Sequence, residues 1–375
     1  MNKPIAADVS VHLSDIISHL LLKEEAVGKA WLCAARFSAS RETLLDGLAD
    51  RAGCLTLLKA LPAASISRLV SAPVLGQLIA TGDNHSDAGR QLLRAWIEAE
   101  HCLLNRIRPD EDVEWTALGD YRLDRDGSIA YAAPRLRGIA IDGFSPFATS
   151  GLYLPLSQRE RIQPPKDIWL CAAKIKKAFQ LVDRIAPAGS ELISIALRAL
   201  ALYDDTGCRF GTSSSRRHPG VAALANVAAP DISHYSIADA LLHEATHSAL
   251  YFAELDAPFF LSADTETPRV ISPWTGTDLP LHSFVHACCV WFELSLFWDE
   301  VLEQSDRPDY EADAMFQKAA SGFFRKALVE AITAVREHIT PFAFHLLNEL
   351  RTIALDRLGH PVKEGVTSLT ARQGA

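Results

Sequence analysis

Hydrophobic and polar positions along the chain follow two different rhythms. From about residue 10 to 115, apolar residues recur at spacings of three and four in "LSDIISHLLLKEEAVGKAWLCAARFSASRETLLDGLADRA" and "GRQLLRAWIEAEHCLLNRI", the period of helices with one buried face. Turn signals in "LPAASISRLVSAPVLGQLIATGDN" fall between them, so residues 1–115 are expected to form a helical N-terminal region. Between about 116 and 165 the runs become short and alternating or β-branched, "DYRLDRDGSIAYAA", "LRGIAIDGF" and "GLYLPLS", with Asp126-Gly127 and Asp142-Gly143 placed as turns. That stretch predicts a small antiparallel β insertion. Beyond "RIQPPKD" helical spacing returns in "IWLCAAKIKKAFQLVDRIAP" and "SELISIALRALALYD", followed by the polar loop "DDTGCRFGTSSSRRHPG". Residues 166–360 therefore read as a helical core and 361–375 as a frayed tail. The expected class is mainly α.

Composition narrows the function classes. The 375 residues are 49% apolar and 8% aromatic, enough to build substantial cores. A net charge of −9 argues against a nucleic-acid surface, which needs clustered Lys and Arg, and leaves small molecules or peptides as the expected partners. The opening "MNKPIAADVSVHLSDIISHL" lacks a long apolar stretch ahead of a small-residue cleavage site, and no apolar run of roughly 18 residues stands out. The expectation is a cytoplasmic protein without membrane association. Seven cysteines, at 33, 54, 102, 171, 208, 288 and 289, are odd in number and never spaced C-x-x-C, so they read as buried small hydrophobes.

Chemistry concentrates in "ADALLHEATHSALYF", where His243, Glu244 and His247 form H-E-x-x-H. Ser236, followed three residues later by Asp239, resembles a capping box, and Ile237, Ala240, Leu241, Ala245 and Ala249 suit a helix. Histidines one turn apart share a face and can reach one metal ion, while Glu244 lies one residue round the helix, placed to act beside that metal. The longer protease signature H-E-x-x-H-x-x-G-x-x-H is absent, because Leu250 and Ala253 stand where its Gly and His belong. A thermolysin-like arrangement would take a later glutamate, Glu266 or Glu293. Downstream, "LPLHSFVHACCVWFELSLFW" predicts a second helix with His282, His286 and Glu293 on one face, three candidates for a third ligand. Zinc with Glu244 as general base would make a metallopeptidase. Ferrous iron would make an oxygenase, and a third possibility is a non-catalytic peptide-binding module.

Several stretches together resemble the HEXXH-motif family associated with ribosomally made, post-translationally modified peptides, described as 2-oxoglutarate-dependent HExxH-type peptide β-hydroxylases. They are "LLDGLADRAGCLTLLKALPAASISRLVSAPVLGQLI", the Ser-rich "GTSSSRRHPGVAAL", "HEATH", and "VISPWTGTDLPLHSFVHACCVWFEL". The resemblance covers most of the chain, and its Ser272-Pro273-Trp274 and Pro280-Leu281 landmarks bring His286 onto the family's later histidine. It implies Fe(II) held by His243, His247 and His286, with Glu244 close to the metal, 2-oxoglutarate as cosubstrate, and a precursor peptide as substrate, with zinc occupying the site in some preparations. The distal carboxylate of 2-oxoglutarate needs a cation, for which Arg269 is the nearest candidate, with Arg216 and Arg217 behind it. Trp274 is a candidate pocket wall. Thr275, where the family often has Arg, and Ser283 and Ala287, where it has glycines, depart from the pattern. With too few strand-like runs for a jelly roll, such chemistry would sit on a helical scaffold.

Overall fold

Helices account for 59% of the protein and strands for 13%, so the class is mainly α. A computed structural model describes residues 24–80, 86–107, 115–154, 156–254, 258–261, 268–305 and 309–359. The predicted beginning of the first helix near residue 10, Glu266 and the C-terminal tail lie outside the described residues. Two units emerge: Val27–Asp256, and Ala257–Ala375 together with Met1–Ala26.

The unit Val27–Asp256 begins with helices α1 (Glu24–Arg51, its first three residues preceding the unit), α2 (Leu55–Lys59), α3 (Ala63–Ser71), α4 (Pro73–Ala80) and α5 (Asp87–Asn105). Their apolar stripes meet in one core, where Leu45, Leu58, Leu69, Leu75, Leu93 and Ile97 are fully or almost fully buried; each such side chain contributes roughly 1.5–3 kcal/mol. The Ser86 hydroxyl caps α5 by accepting from the Gly89 N–H at 3.0 Å. A short hairpin follows, β1 (Tyr121–Leu123) with β2 (Ile129–Ala132), turning at Gly127, whose φ of +84° suits glycine. Arg68 of α3 ties this hairpin to the helices. Its two Nη atoms donate to the buried Asp120 carboxylate at 2.7 Å each, and its Nε donates to Glu100 of α5 at 3.0 Å.

The remaining strands are β3 (Arg135–Leu136), β4 (Ile139–Asp142), β5 (Ile162–Gln163), β6 (Ala199–Asp205), β7 (Gly211–Ser213) and β8 (Val221–Ala225), in the order β3-β4-β6-β8-β7 with β5 pairing β6. β4, β6 and β8 run parallel, with Ala140 opposite Ala199 and Leu200 opposite Ala222. This β layer is larger than the predicted antiparallel insertion and is mixed. Parallel neighbours need a crossover, and here it carries α6 (Pro146–Thr149), α7 (Ile168–Ile185) and α8 (Pro187–Ala196) between β4 and β6. "SELISIALRALALYD", read above as one helix, divides: α8 ends at Ala196 and "ALALYDD" is the central strand. The reason is burial. A strand covered on both faces is apolar at every position and loses its period of two, so only its pairing with β4 and β8 distinguishes it from helix.

Helix α9 (His234–Ala253) packs on α7, α8 and β8 and carries the H-E-x-x-H residues. Its cap is Ser233, whose hydroxyl accepts from the Ser236 N–H at 3.0 Å, so the helix starts earlier than the predicted Ser236–Asp239 box.

In the other unit, the hairpin β9 (Arg269–Ile271) and β10 (Asp278–Pro280) leads into α10 (Leu281–Glu303), followed by α11 (Tyr310–Ser321), α12 (Lys326–Ala334) and α13 (Pro341–Arg357). α10 packs against α11 and α13. Its Phe284, Phe292, Phe297 and Trp298 are fully buried. By length and composition α10 could cross a membrane, contrary to the expectation that no apolar run of that length is present. Yet 78% of that stretch is buried within the protein, as in a core helix.

Candidate metal centre

On α9 the pattern of burial sorts the motif by chemistry. Ala240, Leu241, Leu242, Ala245 and Thr246 are buried, whereas His243 and His247 are only half-buried and share one stripe. Their imidazole centroids lie 5.0 Å apart at 59°. His247 in turn stacks on Tyr251, 6.2 Å away and nearly parallel at 17°, which fixes the orientation of its ring. Two rings so placed match the needs of two adjacent positions on one metal ion.

Glu244 points elsewhere on the helix and is 2% exposed. Its Oε2 is buried with no hydrogen-bond partner among the described residues. A buried carboxylate oxygen without a donor is costly and marks a place where a cation, a water or a substrate proton fits. Two tyrosines lie within electrostatic reach of it. Burial first, then the negative charges around it, push the Tyr251 phenol up to about 12. Tyr203 on β6 is raised for the same reason. Both remain neutral O–H groups across the physiological range, able to donate.

The second predicted helix carries its own pair. On α10 the rings of His282 and His286 lie 4.2 Å apart at 35°. Phe260 flanks His282 at 5.4 Å and Phe259 flanks His286 at 6.1 Å, and His286 is fully buried. Glu293, on the same stripe, is also fully buried, and neither of its oxygens has a hydrogen-bond partner among the described residues. Cys288 and Cys289 are buried and not joined in a disulfide, and burial pushes the Cys288 thiol well up, away from the reactive thiolate.

The candidates for cosubstrate contact occupy other environments. Arg269 donates through Nε to Asp278 at 2.5 Å and through Nη2 to the Asp278 carbonyl at 2.8 Å, across its own hairpin, with both side chains about half exposed. To anchor a ligand it would have to leave Asp278. Trp274 is a packing anchor: its indole N–H donates to the Ala319 carbonyl at 2.7 Å, and its ring stacks on Trp291 and meets Phe323 edge-on. A Cβ at Gly322 would collide with that indole. Arg216 and Arg217 are exposed, and the charge of Arg216 reaches the Tyr251 hydroxyl, which places that arginine beside α9.

No family model matches the chain, and no curated protein matches it. Function therefore has to be argued from the residues. The two helices share one spacing: His243, His247 and Glu254 follow H-x3-H-x6-E, and His282, His286 and Glu293 repeat it. Intervals of four and seven keep each trio on one helix face, and Glu254 stands at the end of α9.

Proposed function

We propose that the chain is an oxygenase dependent on Fe(II) and 2-oxoglutarate that hydroxylates a side-chain β-carbon of a residue in a peptide, its substrate being a ribosomally made precursor peptide. His243, His247 and His286 are the metal ligands in this reading. The observation that carries it is the half-buried His243–His247 pair on the helix that also carries Glu244, whose buried Oε2 has no hydrogen-bond partner among the described residues. His286 is assigned from the resemblance, with its pairing to His282 on α10 as support. Bound ferrous iron with a 2-oxo acid supplies oxygen activation for attack on a C–H bond. The protein's own contribution is to orient and to exclude water. Tyr251 holds the His247 ring by stacking. Glu244 offers a hydrogen-bond acceptor beside the ligands, and Tyr203 and Tyr251 offer neutral donors around it.

A zinc peptidase is the second reading, favoured by the same glutamate. A buried carboxylate one residue from a metal-binding histidine is where a general base for water would stand. The deciding experiment is anaerobic addition of ferrous iron and then 2-oxoglutarate to metal-free protein, with His286→Ala as control. A visible charge-transfer band in the wild type that vanishes in the variant supports the oxygenase and the third ligand together. Iron binding without any band removes the cosubstrate and leaves the peptidase.

A further inference from the structure

Three carboxylates gather around the first hairpin, and each is 1% exposed: Glu100 of α5, Asp120 just before β1, and Asp142 at the end of β4. Two guanidiniums serve them. Arg68 takes Glu100 through Nε and Asp120 through both Nη atoms, and Arg135 of β3 also donates to Asp120. Among the described residues no cation pairs with Asp142. Its hydrogen bonds come from neutral groups: Oδ1 accepts from the Phe144 N–H at 3.1 Å and the Ser145 N–H at 2.9 Å, and Oδ2 from the Ser145 hydroxyl. That hydroxyl also caps α6, accepting from the Ala148 N–H at 3.2 Å. Gly119 brings the two aspartates together. Its φ is +73°, and a Cβ there would lie 2.8 Å from Ser145 Oγ and 3.0 Å from Asp142 Oδ2, so the backbone next to Asp120 rests directly on the β4–α6 turn. Two phenols also face Asp142, Tyr131 of β2 and Tyr153 beyond α6, the latter with His218 edge-on against it. Pro165 and Ile168 close the side at Gly143 without a charge. Burial pushes the Asp142 carboxyl up to about 6; its hydrogen bonds from Ser145 and Phe144 oppose that, and the Asp120 charge adds to it.

Ionising Asp142 puts a third negative charge into a dry corner that holds two cations, both already engaged by Asp120, and sets it against the like charge of that aspartate. We infer that Asp142 is a pH-sensitive latch: with its proton on, it holds the 116–121 segment against the β4–α6 turn, and loss of the proton loosens that segment. Opening exposes the carboxyl to water, where it ionises at its ordinary value of about 3.9. The closed corner binds the proton more tightly, so closure is fully favoured below that value. It weakens as pH rises towards the closed-state value and changes no further above it. The latch stands apart from the metal chemistry proposed above, since none of its residues lies on α9 or α10.

The test is amide hydrogen exchange, read by mass spectrometry, on full-length wild type and Asp142→Asn at pH 5 and pH 7.5, with each rate divided by that of the unstructured sequence at the same pH. In the wild type, protection of the peptides covering 116–121 and 142–146 falls by about tenfold between the two conditions, the change that closed and open values of about 6 and about 3.9 require. Asp142→Asn keeps its protection, because the amide oxygen still accepts from Phe144 and Ser145 and the side chain cannot ionise. Peptides from β6 and α7, in the same unit, hold steady in both proteins. Equal wild-type protection at the two pH values overturns the inference, and that result needs no variant. A fall of the same size in Asp142→Asn overturns it too, as does a fall shared by β6 and α7, which would be loss of global stability and not release of a latch.

Discussion

His243 and His247 hold their rings 5.0 Å apart on the half-buried stripe of α9, with the core residues of the same helix turned the other way. In the function proposed above the pair is a ligand set, and its removal is expected to change metal binding more than folding. His243→Ala and His247→Ala should each weaken ferrous or zinc binding by more than the roughly 10- to 100-fold typical of residues that only support a ligand. Melting temperatures of the metal-free variants should stay close to wild type, since neither side chain is in the core. Equilibrium dialysis with metal analysis checks the first expectation and calorimetry the second. Wild-type affinity in both variants would remove the metal centre from α9.

Glu244→Gln separates the two chemistries. In the oxygenase reading the glutamine still occupies the buried position and accepts a hydrogen bond through its amide oxygen, so iron and 2-oxoglutarate still give the charge-transfer band. In the peptidase reading the base is lost, and hydrolysis falls by about 10²–10⁴-fold, the range of general-base contributions. Recording the band and assaying hydrolysis on the same preparation distinguishes them. Loss of the band with retained hydrolysis would contradict both assignments of Glu244.

Legibility in the sequence followed burial. α9 and α10 were recognisable because histidines at four-residue spacing and good helix formers reinforce each other, and the strands at 121–142 were recognisable from alternation around Asp126-Gly127. β6 was not, because Ala199, Leu200, Ala201 and Leu202 are all buried and leave no polar phase to read. Nor was the place of Arg269 and Trp274. A loop arginine looks the same in sequence whether it meets a ligand or Asp278, and an indole the same whether it lines a pocket or donates to the Ala319 carbonyl.

Trp274→Phe tests the anchoring contact at the head of α10's loop. The substitution keeps most of the stack on Trp291 but leaves the buried Ala319 carbonyl without its donor. The expected cost is about 1–3 kcal/mol, from an unsatisfied carbonyl plus lost ring volume. Urea denaturation gives the number. A neutral result would show that the indole N–H contact contributes nothing.

Glu293 makes stability depend on pH in a predictable direction. Burial holds its carboxyl well above the usual carboxylate range, and no hydrogen-bond donor among the described residues opposes that. The unfolded chain releases this proton near its ordinary value of about 4.3, while the folded protein keeps it. The unfolded state therefore binds fewer protons above that pH, and stability declines by up to about 1.4 kcal/mol per pH unit until the folded carboxyl ionises. Glu293→Gln cannot ionise and lacks that decline. Its urea midpoint should be near wild type at pH 5 and clearly higher at pH 8. Parallel curves for the two proteins would show that the carboxylate has a buried counter-charge.

Asp120 has the opposite sign. Burial alone would raise its carboxyl, but the two hydrogen bonds and the charge of Arg68, with Arg135 and the Thr116 hydroxyl, outweigh it and leave Asp120 below the usual range. Glu100, which meets Arg68 only at Nε, is not compensated to the same degree and is raised. A lowered folded value means that the stabilisation from Asp120 is complete above its unfolded value of about 3.9 and is lost as pH falls through the folded one. Asp120→Asn should thus cost about 3–5 kcal/mol at neutral pH, because it leaves the partly buried Arg68 facing a neutral amide. Glu100→Gln should cost less, since its charge is the poorer partner. Below pH 4 the gap between wild type and Asp120→Asn should narrow. A gap that stays constant down to pH 2 would mean that packing, and not the ion pair, is what Asp120 contributes.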